Sequence, residues 1–450
     1  MPPVGIHIRD TMLEAAWPEL AGVYRAPAAT SVSGAERLFG PSAITAYLDN
    51  EPIDTIEWSL AESVAAAPHQ TDATPAILPE IFKRLRRTNA DRLVVCLPES
   101  WRSAPVIPPS QLQRQMAQAF PACEIAFVGS SQAAGASVIR QARQHGLSIG
   151  SKLIVFNVND SDCELAEFAV EQPGDRLRPI RNRAFPGIGA FDQAIGRLIS
   201  RKNGADQRRN AIVFAKDRTA KEEALALEWE FIADLPDTEV IASAGQSILV
   251  GEVLSSAESI WQGLGAEIER FITSASRGEP SGSVMWASVG QVASLPLLHG
   301  TVDDAINATG INRIDGQFEP WRHGSAILDG ALNIAAGNVD PRIMSNGASM
   351  NVWRRLGVSI ATWSIPFDPY EVGGYLPSPL RPEPNADPSS LQIRTGLPVS
   401  ITLGQKEYAS TLEVPAGDYF VGIHIDQEHR TTLVCTDAAN PQRVYTVPVS

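Results

Sequence analysis

The sequence predicts an α/β protein with two similarly built lobes, followed by an all-β domain. Short apolar runs alternate with helical patterns between residues 93 and 170, the order expected of a layered α/β unit. A strand, a polar turn and a second strand occur twice, at 5–17 and 152–168, which indicates an internal duplication. From residue 351 onward, apolar and polar residues alternate with a period of two between turn signals, which is typical of a β-sandwich.

The first lobe is predicted over residues 1–150. Its strands at 4–8 and 11–16 form a hairpin, and the apolar run 93–97 is a buried strand that Pro98 stops, because proline cannot continue a ladder. The predicted elements that follow are helices at 111–120 and 133–144, with a strand at 124–128 between them.

The second lobe is predicted over residues 151–337. Strands at 152–156 and 164–170 enclose a polar turn, and the basic stretch 172–186 is predicted to form a loop or hairpin. A helix at 255–274 carries its apolar residues on one face. The other predicted elements are helices at 189–201, 220–227, 291–298 and 324–336, a strand pair at 238–253 and a strand at 284–289.

A polar, glycine-containing linker is predicted at 338–352, and a β-sandwich at 353–450. Its predicted strands lie at 358–363, 392–395, 399–403, 410–414, 419–425, 431–436 and 443–449, separated by turn signals such as Ala416-Gly417-Asp418.

This order of elements resembles the seventy-kilodalton heat-shock chaperones of the DnaK type. Pro98 ends a strand as in that family, residues 132–136 (QAAGA) match its small-residue helix, and 420–426 (FVGIHID) with 432–437 (TLVCTD) match its sandwich. The resemblance implies an actin-like ATPase fold in two lobes followed by a peptide-binding β-sandwich. The family adds a helical lid where this chain ends, so the expected sandwich is lidless.

The first phosphate loop of the family is altered at residues 5–11 (GIHIRDT). His7 stands where the family has a catalytic Asp, and Arg9 where it has a glycine. Asp10 occupies a hydroxyl position beside Thr11, where its charge would repel phosphate. A phosphate loop works because glycine lets backbone amides approach the anion closely, and a long side chain fills that space.

The second phosphate loop and the adenosine motif are altered as well. At 157–162 (NVNDSD), Asn157 replaces an Asp, Asn159 and Asp160 replace glycines, and Asp162 completes the turn. In the adenosine motif, the positions of the paired glycines and of the adenine-stacking Arg are assigned to Ala287, Ser288 and Gln291. The resemblance therefore implies a degenerate nucleotide pocket, and no catalytic residue, bound cofactor or metal is expected.

We predict a pseudo-ATPase: a non-hydrolysing adaptor, scaffold or dedicated chaperone that binds a protein partner or client. The residues matching the turn beside the family's peptide cleft are Gly373, Gly374, Tyr375 and Leu376. One alternative is a working ATP-dependent chaperone that binds ATP and Mg²⁺, with Asp10 and Asp162 as the metal-side carboxylates. Another is a structural subunit of a larger, hetero-oligomeric enzyme complex.

Composition narrows the range of partners and settings. The 450 residues are 44% hydrophobic and 20% charged, enough for two or three domains with cores of their own. A net charge of −14 argues against nucleic acid or an anionic membrane as the main partner. The four scattered cysteines indicate a reducing cytoplasm, and the charged N-terminus and lack of an apolar run of about 20 residues predict neither a signal peptide nor a membrane span.

Overall fold

The structure is a computed structural model that describes most of the chain. The described residues are 3–18, 20, 23–33, 36–49, 53, 55–66, 75, 77–85, 91–102, 106–107, 109–144, 146–171, 175–204, 206–220, 235–243, 246–280, 282–290, 296–314, 326–340, 348–356, 359–367, 391–403, 406–425, 431–440 and 443–449.

Strands and helices are mixed along the described residues, which confirms the predicted α/β class. The strands are β1 (Pro3–Ile8), β2 (Met12–Ala16), β3 (Tyr24–Pro27), β4 (Thr30–Ser33), β5 (Glu36–Phe39), β6 (Thr55–Glu57), β7 (Arg92–Leu97), β8 (Glu124–Gly129), β9 (Lys152–Val158), β10 (Asp162–Glu171), β11 (Asp175–Pro186), β12 (Glu239–Ser243), β13 (Gln246–Leu249), β14 (Val284–Gly290), β15 (Asn312–Arg313), β16 (Val339–Asp340), β17 (Ala348–Leu356), β18 (Ser359–Phe367), β19 (Leu391–Ile393), β20 (Leu397–Leu403), β21 (Lys406–Leu412), β22 (Gly417–Ile425), β23 (Thr431–Asp437) and β24 (Val444–Pro448).

The helices provide the crossovers between parallel strands. They are α1 (Pro41–Leu48), α2 (Leu60–Ala65), α3 (Ile77–Leu85), α4 (Pro109–Ala119), α5 (Ser130–Gln144), α6 (Ile188–Asn203), α7 (Gln207–Ala220), α8 (Val250–Ile260), α9 (Leu264–Ser276), α10 (Pro296–Thr309) and α11 (Ala326–Ala335).

Two sheets share one strand order. The first runs β3-β2-β1-β7-β8, and the second contains β11-β10-β9-β14-β15, with β16 added beside β11. In each sheet, three strands joined by short turns come first, and two strands parallel to the central one follow through helical crossovers. Parallel neighbours need such crossovers, because a short turn can only reverse the chain.

The chain divides into two compact units. One comprises residues 1–137, 168–181 and 327–450, and the other comprises 138–167 and 182–326. The division into lobes at 1–150 and 151–337, a linker and a sandwich at 353–450 stays a prediction.

In the first unit, α11 lies directly against the central strand and against α5. A Cβ on Gly5 would lie 2.9 Å from Ala331 Cβ, and one on Gly330 would lie 1.6 Å from the Ala133 carbonyl oxygen. Backbones approach this closely only where glycine omits the side chain. These two glycines therefore set how deeply α11 packs.

The second unit has a core rich in aromatic residues. Phe156 on β9 stacks on Trp286 of β14 with ring centroids 6.1 Å apart, and Phe191 on α6 stacks on Trp261 at 5.8 Å. The indole Nε1 of Trp261 donates a hydrogen bond of 2.9 Å to the Pro186 carbonyl, which satisfies the polar end of a buried ring.

The C-terminal region forms two four-stranded sheets, β18-β17-β20-β21 and β19-β22-β23-β24. Both contribute to one buried cluster that includes Val352, Ile401, Val421 and Leu433, so the two sheets share one core. Near the start of β22, the Tyr419 hydroxyl donates a 2.9 Å hydrogen bond to the Pro415 carbonyl, which holds the preceding turn.

Several predicted elements need correction. Residues 175–186 form the twelve-residue strand β11, not a loop or hairpin. The basic sequence does not look like a strand, but hydrogen bonds to the neighbouring strand β10 hold it in an extended conformation. The helix predicted at 255–274 is two helices, since Gly263 lies at φ +76°, a conformation that interrupts a helix. Helix α7 was not predicted, and the helix predicted at 220–227 lies almost wholly outside the described residues. Strand β17 begins at Ala348, within the predicted linker.

Candidate functional site

The first altered loop is the tight turn between β1 and β2. Its closing hydrogen bond runs 2.9 Å from the Arg9 N–H to the Met12 carbonyl. Within the hairpin, His7 and Glu14 are register partners, so their side chains share one face. The side chains of His7, Arg9 and Glu14 are all buried. The turn thus places three ionisable groups inside the protein.

Glu14 is the centre of this buried cluster. Its Oε2 lies 3.1 Å from Arg9 Nη2 and 3.4 Å from His7 Nδ1, and its Oε1 accepts a 2.8 Å hydrogen bond from Arg25 Nε. Burial alone would raise the pKa of Glu14, but the charge of Arg9 and the contacts with His7 and Arg25 lower it to about 2. Glu14 is therefore a carboxylate that holds the Arg9 guanidinium inside its own hairpin.

His7 is neutral in this setting. Burial lowers the pKa of the imidazole, and Arg9 acts in the same direction, against the raising effect of Glu14. Its Nε2 has no hydrogen-bond partner among the described residues. A neutral imidazole can accept or donate a proton but supplies no charge for holding a phosphate.

Asp10 is bound by the start of α2. Its carbonyl accepts a 2.8 Å hydrogen bond from the Leu60 N–H, and its Oδ1 accepts one of 2.8 Å from the Ala61 N–H. Burial raises the pKa of Asp10, and the hydrogen bonds from Ala61 and Ser59 offset this only partly. The carbonyl of the half-buried Thr11 accepts a 2.8 Å hydrogen bond from the Ala28 N–H. The polar groups of this turn are used within the first unit.

The second altered loop, between β9 and β10, is built in the same way. The Asn159 N–H donates 2.9 Å to the Asp162 carbonyl, and the carbonyls of Asn159 and Asp160 accept from the Ile188 and Gly189 N–H groups at 3.0 and 2.8 Å. These amides open α6, where an anion site would need them free. The start of this helix is occupied by carbonyls of the turn itself.

Gly187, just before α6, allows this arrangement. A Cβ on Gly187 would lie 2.4 Å from the Asp162 amide nitrogen and 2.6 Å from the Asp160 carbonyl oxygen. No side chain fits in that space, and neither would a phosphate group. Sequence reasoning missed Gly187, although a glycine directly before a helix that faces a polar turn is a usable signal.

Each hairpin holds a buried glutamate, and Glu14 was missed as a site residue. Asn157 Nδ2 lies 3.4 Å from Glu164 Oε2, as His7 Nδ1 does from Glu14 Oε2 in the first hairpin. Both glutamates are buried. Superposing the two hairpins in sequence at a spacing of 150 residues would have found them, because each glutamate follows its partner by seven positions.

Of the three residues assigned to the adenosine motif, two lie inside a strand and the third lies outside the described residues. Ala287 and Ser288 lie inside β14, beside Val155 and Phe156 of β9, and the Ser288 hydroxyl accepts a 2.9 Å hydrogen bond from Trp286 Nε1. Gln291 lies outside the described residues.

The glycine that makes a close approach at this strand is Gly290, at its end. It has φ +79°, and a Cβ there would lie 2.3 Å from the Val158 carbonyl oxygen. The sequence signal for it was a glycine directly after an apolar run.

The predicted partner-binding residues Gly373, Gly374, Tyr375 and Leu376 lie outside the described residues. Across the part of the chain that the structure describes, no three acidic, histidine or cysteine side chains are grouped as a metal-ligand set. None of the described helices is both long and apolar enough to cross a bilayer.

Comparison of the sequence with models of known protein families gave no match, and none was found among curated proteins.

Proposed function

We propose that this chain is a DnaK-like, actin-fold protein that does not hydrolyse ATP and acts as an adaptor, scaffold or dedicated chaperone for a protein partner. The repeated strand order of the two sheets, each a three-strand meander followed by two helical crossovers, supports the actin-like part of the proposal. The C-terminal pair of packed sheets supports the sandwich part.

The observation that carries the proposal is the internal use of polar groups at both turns. In the first, Arg9 bonds to Glu14, and Asp10 accepts from the amides of Leu60 and Ala61. In the second, the amides of Ile188 and Gly189 bond to the turn carbonyls. Phosphate binding needs several free amides and a cation ligand at one point, and breaking existing bonds to supply them costs free energy.

The test is calorimetric titration of the purified chain with Mg-ATP and with Mg-ADP, with phosphate release assayed on the same sample. We expect no binding heat and no phosphate release above the buffer blank. Binding with a Kd of about 1 µM, which corresponds to about −8 kcal/mol, would overturn the proposal.

Phosphate release would instead support the alternative function, a working ATP-dependent chaperone. Under that reading, Asp10→Ala and Asp162→Ala abolish phosphate release, because both carboxylates then hold the metal. Glu267→Ala, which removes a surface carboxylate paired with Arg270, serves as the matched control and leaves turnover unchanged.

Purification tests the partner. Isolation of the tagged chain from its own cells should recover a protein partner or client. Stoichiometric co-purification with the subunits of one enzyme would instead support the structural-subunit reading. The four free cysteines agree with the reducing cytoplasm that we propose as the setting.

A further inference from the structure

Basic residues are concentrated in one segment of an acidic chain. Residues 182–218, all in the second unit, contain eight Lys or Arg and three Asp or Glu, whereas the whole protein has a net charge of −14. Within this segment, helices α6 and α7 form an antiparallel pair. A local reversal of charge on an acidic protein indicates a surface that a partner of opposite charge can recognise.

Two arginines of α6 lie next to each other on its exposed face. Arg197 and Arg201 are exposed, lie four residues apart on one helix face, and form no ion pair among the described residues. Like charges at this spacing destabilise a helix. Lys202, the neighbouring cation on the same helix, is paired, since its Nζ lies 2.9 Å from Glu252 Oε2. Arg201 lies in the last turn of α6, where the helix dipole favours a cation, but the repulsion between the two arginines is a local conflict of the kind expected at a functional surface.

Helix α7, which packs on α6, begins with two further arginines. Arg208 and Arg209 lie in its first turn, where the helix dipole disfavours positive charge, although the Arg209 N–H is capped by Asp206 Oδ1 at 2.8 Å. Neither charge is required for the helix to start, since Asp206 already provides the cap. Basic residues at this position again go against the local preference of the helix.

The two helices hold this surface rigidly. A Cβ on Gly196 would lie 2.7 Å from Ala211 Cβ, and Asn210 Nδ2 donates a 3.0 Å hydrogen bond to Ser200 Oγ. These contacts fix the backbone of α6 between Gly196 and Ser200, the part of the helix that carries Arg197. Binding then has to order the arginine side chains but not the helix that carries them.

We propose that the basic face of α6, defined by the exposed Arg197 and Arg201, binds an acidic segment of a protein partner. This proposal rests on the proposed protein-binding function and adds the chemical class of the partner. Guanidinium groups bind carboxylates in a bidentate manner, which favours arginine for this role. A nucleic acid is disfavoured because its dense negative charge would be repelled by the net charge of −14, whereas a short acidic peptide carries few charges.

The experiment measures fluorescence anisotropy of a labelled, short polyglutamate peptide titrated with the full chain at low salt, without nucleotide. The test variant is Arg197→Glu/Arg201→Glu. The matched control is Arg270→Glu/Arg277→Glu, which changes the net charge equally at exposed positions on and just after α9 in the same unit. Circular dichroism verifies that both variants are folded.

We expect the wild type to bind, the test variant to bind at least about tenfold more weakly, and the control to change by less than about twofold. Equal losses in both variants would overturn the proposal, because only net charge would then matter. Absence of wild-type binding would also overturn it. Binding of a single-stranded oligonucleotide more tightly than the peptide would assign the face to nucleic acid instead.

Failure here is separable from failure of the proposed function. The assay contains no nucleotide, so ATP binding in the calorimetric test would leave the result on the basic face unchanged. Conversely, a chain that binds neither ATP nor the acidic peptide keeps its proposed adaptor role, with a partner of different chemistry.

Discussion

At the scale of single residues, Glu14 determines the character of the first turn. It is buried and carries a negative charge against Arg9 and Arg25, at 3.1 and 2.8 Å. Removing one partner of a buried ion pair leaves the other charge uncompensated. We therefore expect Glu14→Gln to lower the free energy of unfolding by about 3 kcal/mol, measured from urea denaturation at pH 7. Glu267→Gln, which breaks an exposed pair with Arg270, should cost less than about 1 kcal/mol.

The pH dependence of this difference identifies the charge as its cause. Because the pKa of Glu14 is lowered to about 2 in the folded state, its contribution is fully present above the unfolded value of about 4.5. The contribution is lost as the pH falls from about 4.5 to about 2. The stability gap between wild type and Glu14→Gln should therefore shrink between pH 5 and pH 3, and a constant gap would assign it to packing.

Residues of the candidate site were predictable only in part. His7, Arg9 and Asp10 were identified because the turn between two strands is a local feature of the sequence. Glu14 was missed because its role depends on burial, which the residue type does not reveal. Gly187 was missed because its need for a bare backbone arises from the Asp160–Asp162 turn, more than 20 residues earlier in the chain.

At the scale of elements, the close crossing of α11 and α5 gives a clear test. A Cβ on Gly330 would overlap the Ala133 carbonyl, so Gly330→Ala forces the two helices apart. We expect a loss of about 3 kcal/mol or more in the free energy of unfolding. Gly300→Ala is the matched control, since Gly300 lies in α10 with no atom within 4 Å of the added Cβ. That variant should be neutral or more stable by up to about 1 kcal/mol. Similar losses in both would show that the contact is unimportant.

Strands were easier to predict than helices in this chain. The runs at 93–97, 152–156 and 284–289 were recognised because central parallel strands are buried on both faces and therefore read as continuous apolar stretches. Helix α7 was missed because its sequence has little apolar periodicity, and its position is set by packing on α6 at Gly196.

At the scale of the whole molecule, the state of the cysteines tests the proposed cellular setting. All four are free, and three of them, Cys96, Cys163 and Cys435, are buried. We expect a thiol reagent to modify one thiol of the native protein fastest, at the half-buried Cys123, and all four after denaturation without a reductant. The reaction at Cys123 should be slower than that of free cysteine near neutral pH, because burial raises its pKa. Fewer than four thiols in the denatured, unreduced protein would contradict a reducing setting.

The sequence by itself determined the class of the protein, the order of most strands, and the positions of the two polar turns. These features depend on local periodicity and on turn residues, which neighbouring positions encode. Only the tertiary structure decided what occupies those turns: the carboxylate of Glu14 at the first, and the amides opening α6 at the second. Such partners are distant in sequence, and which of two polar groups meet is set by how strands and helices pack. Whether the polar groups of a loop are free to bind a ligand is therefore decided by the fold.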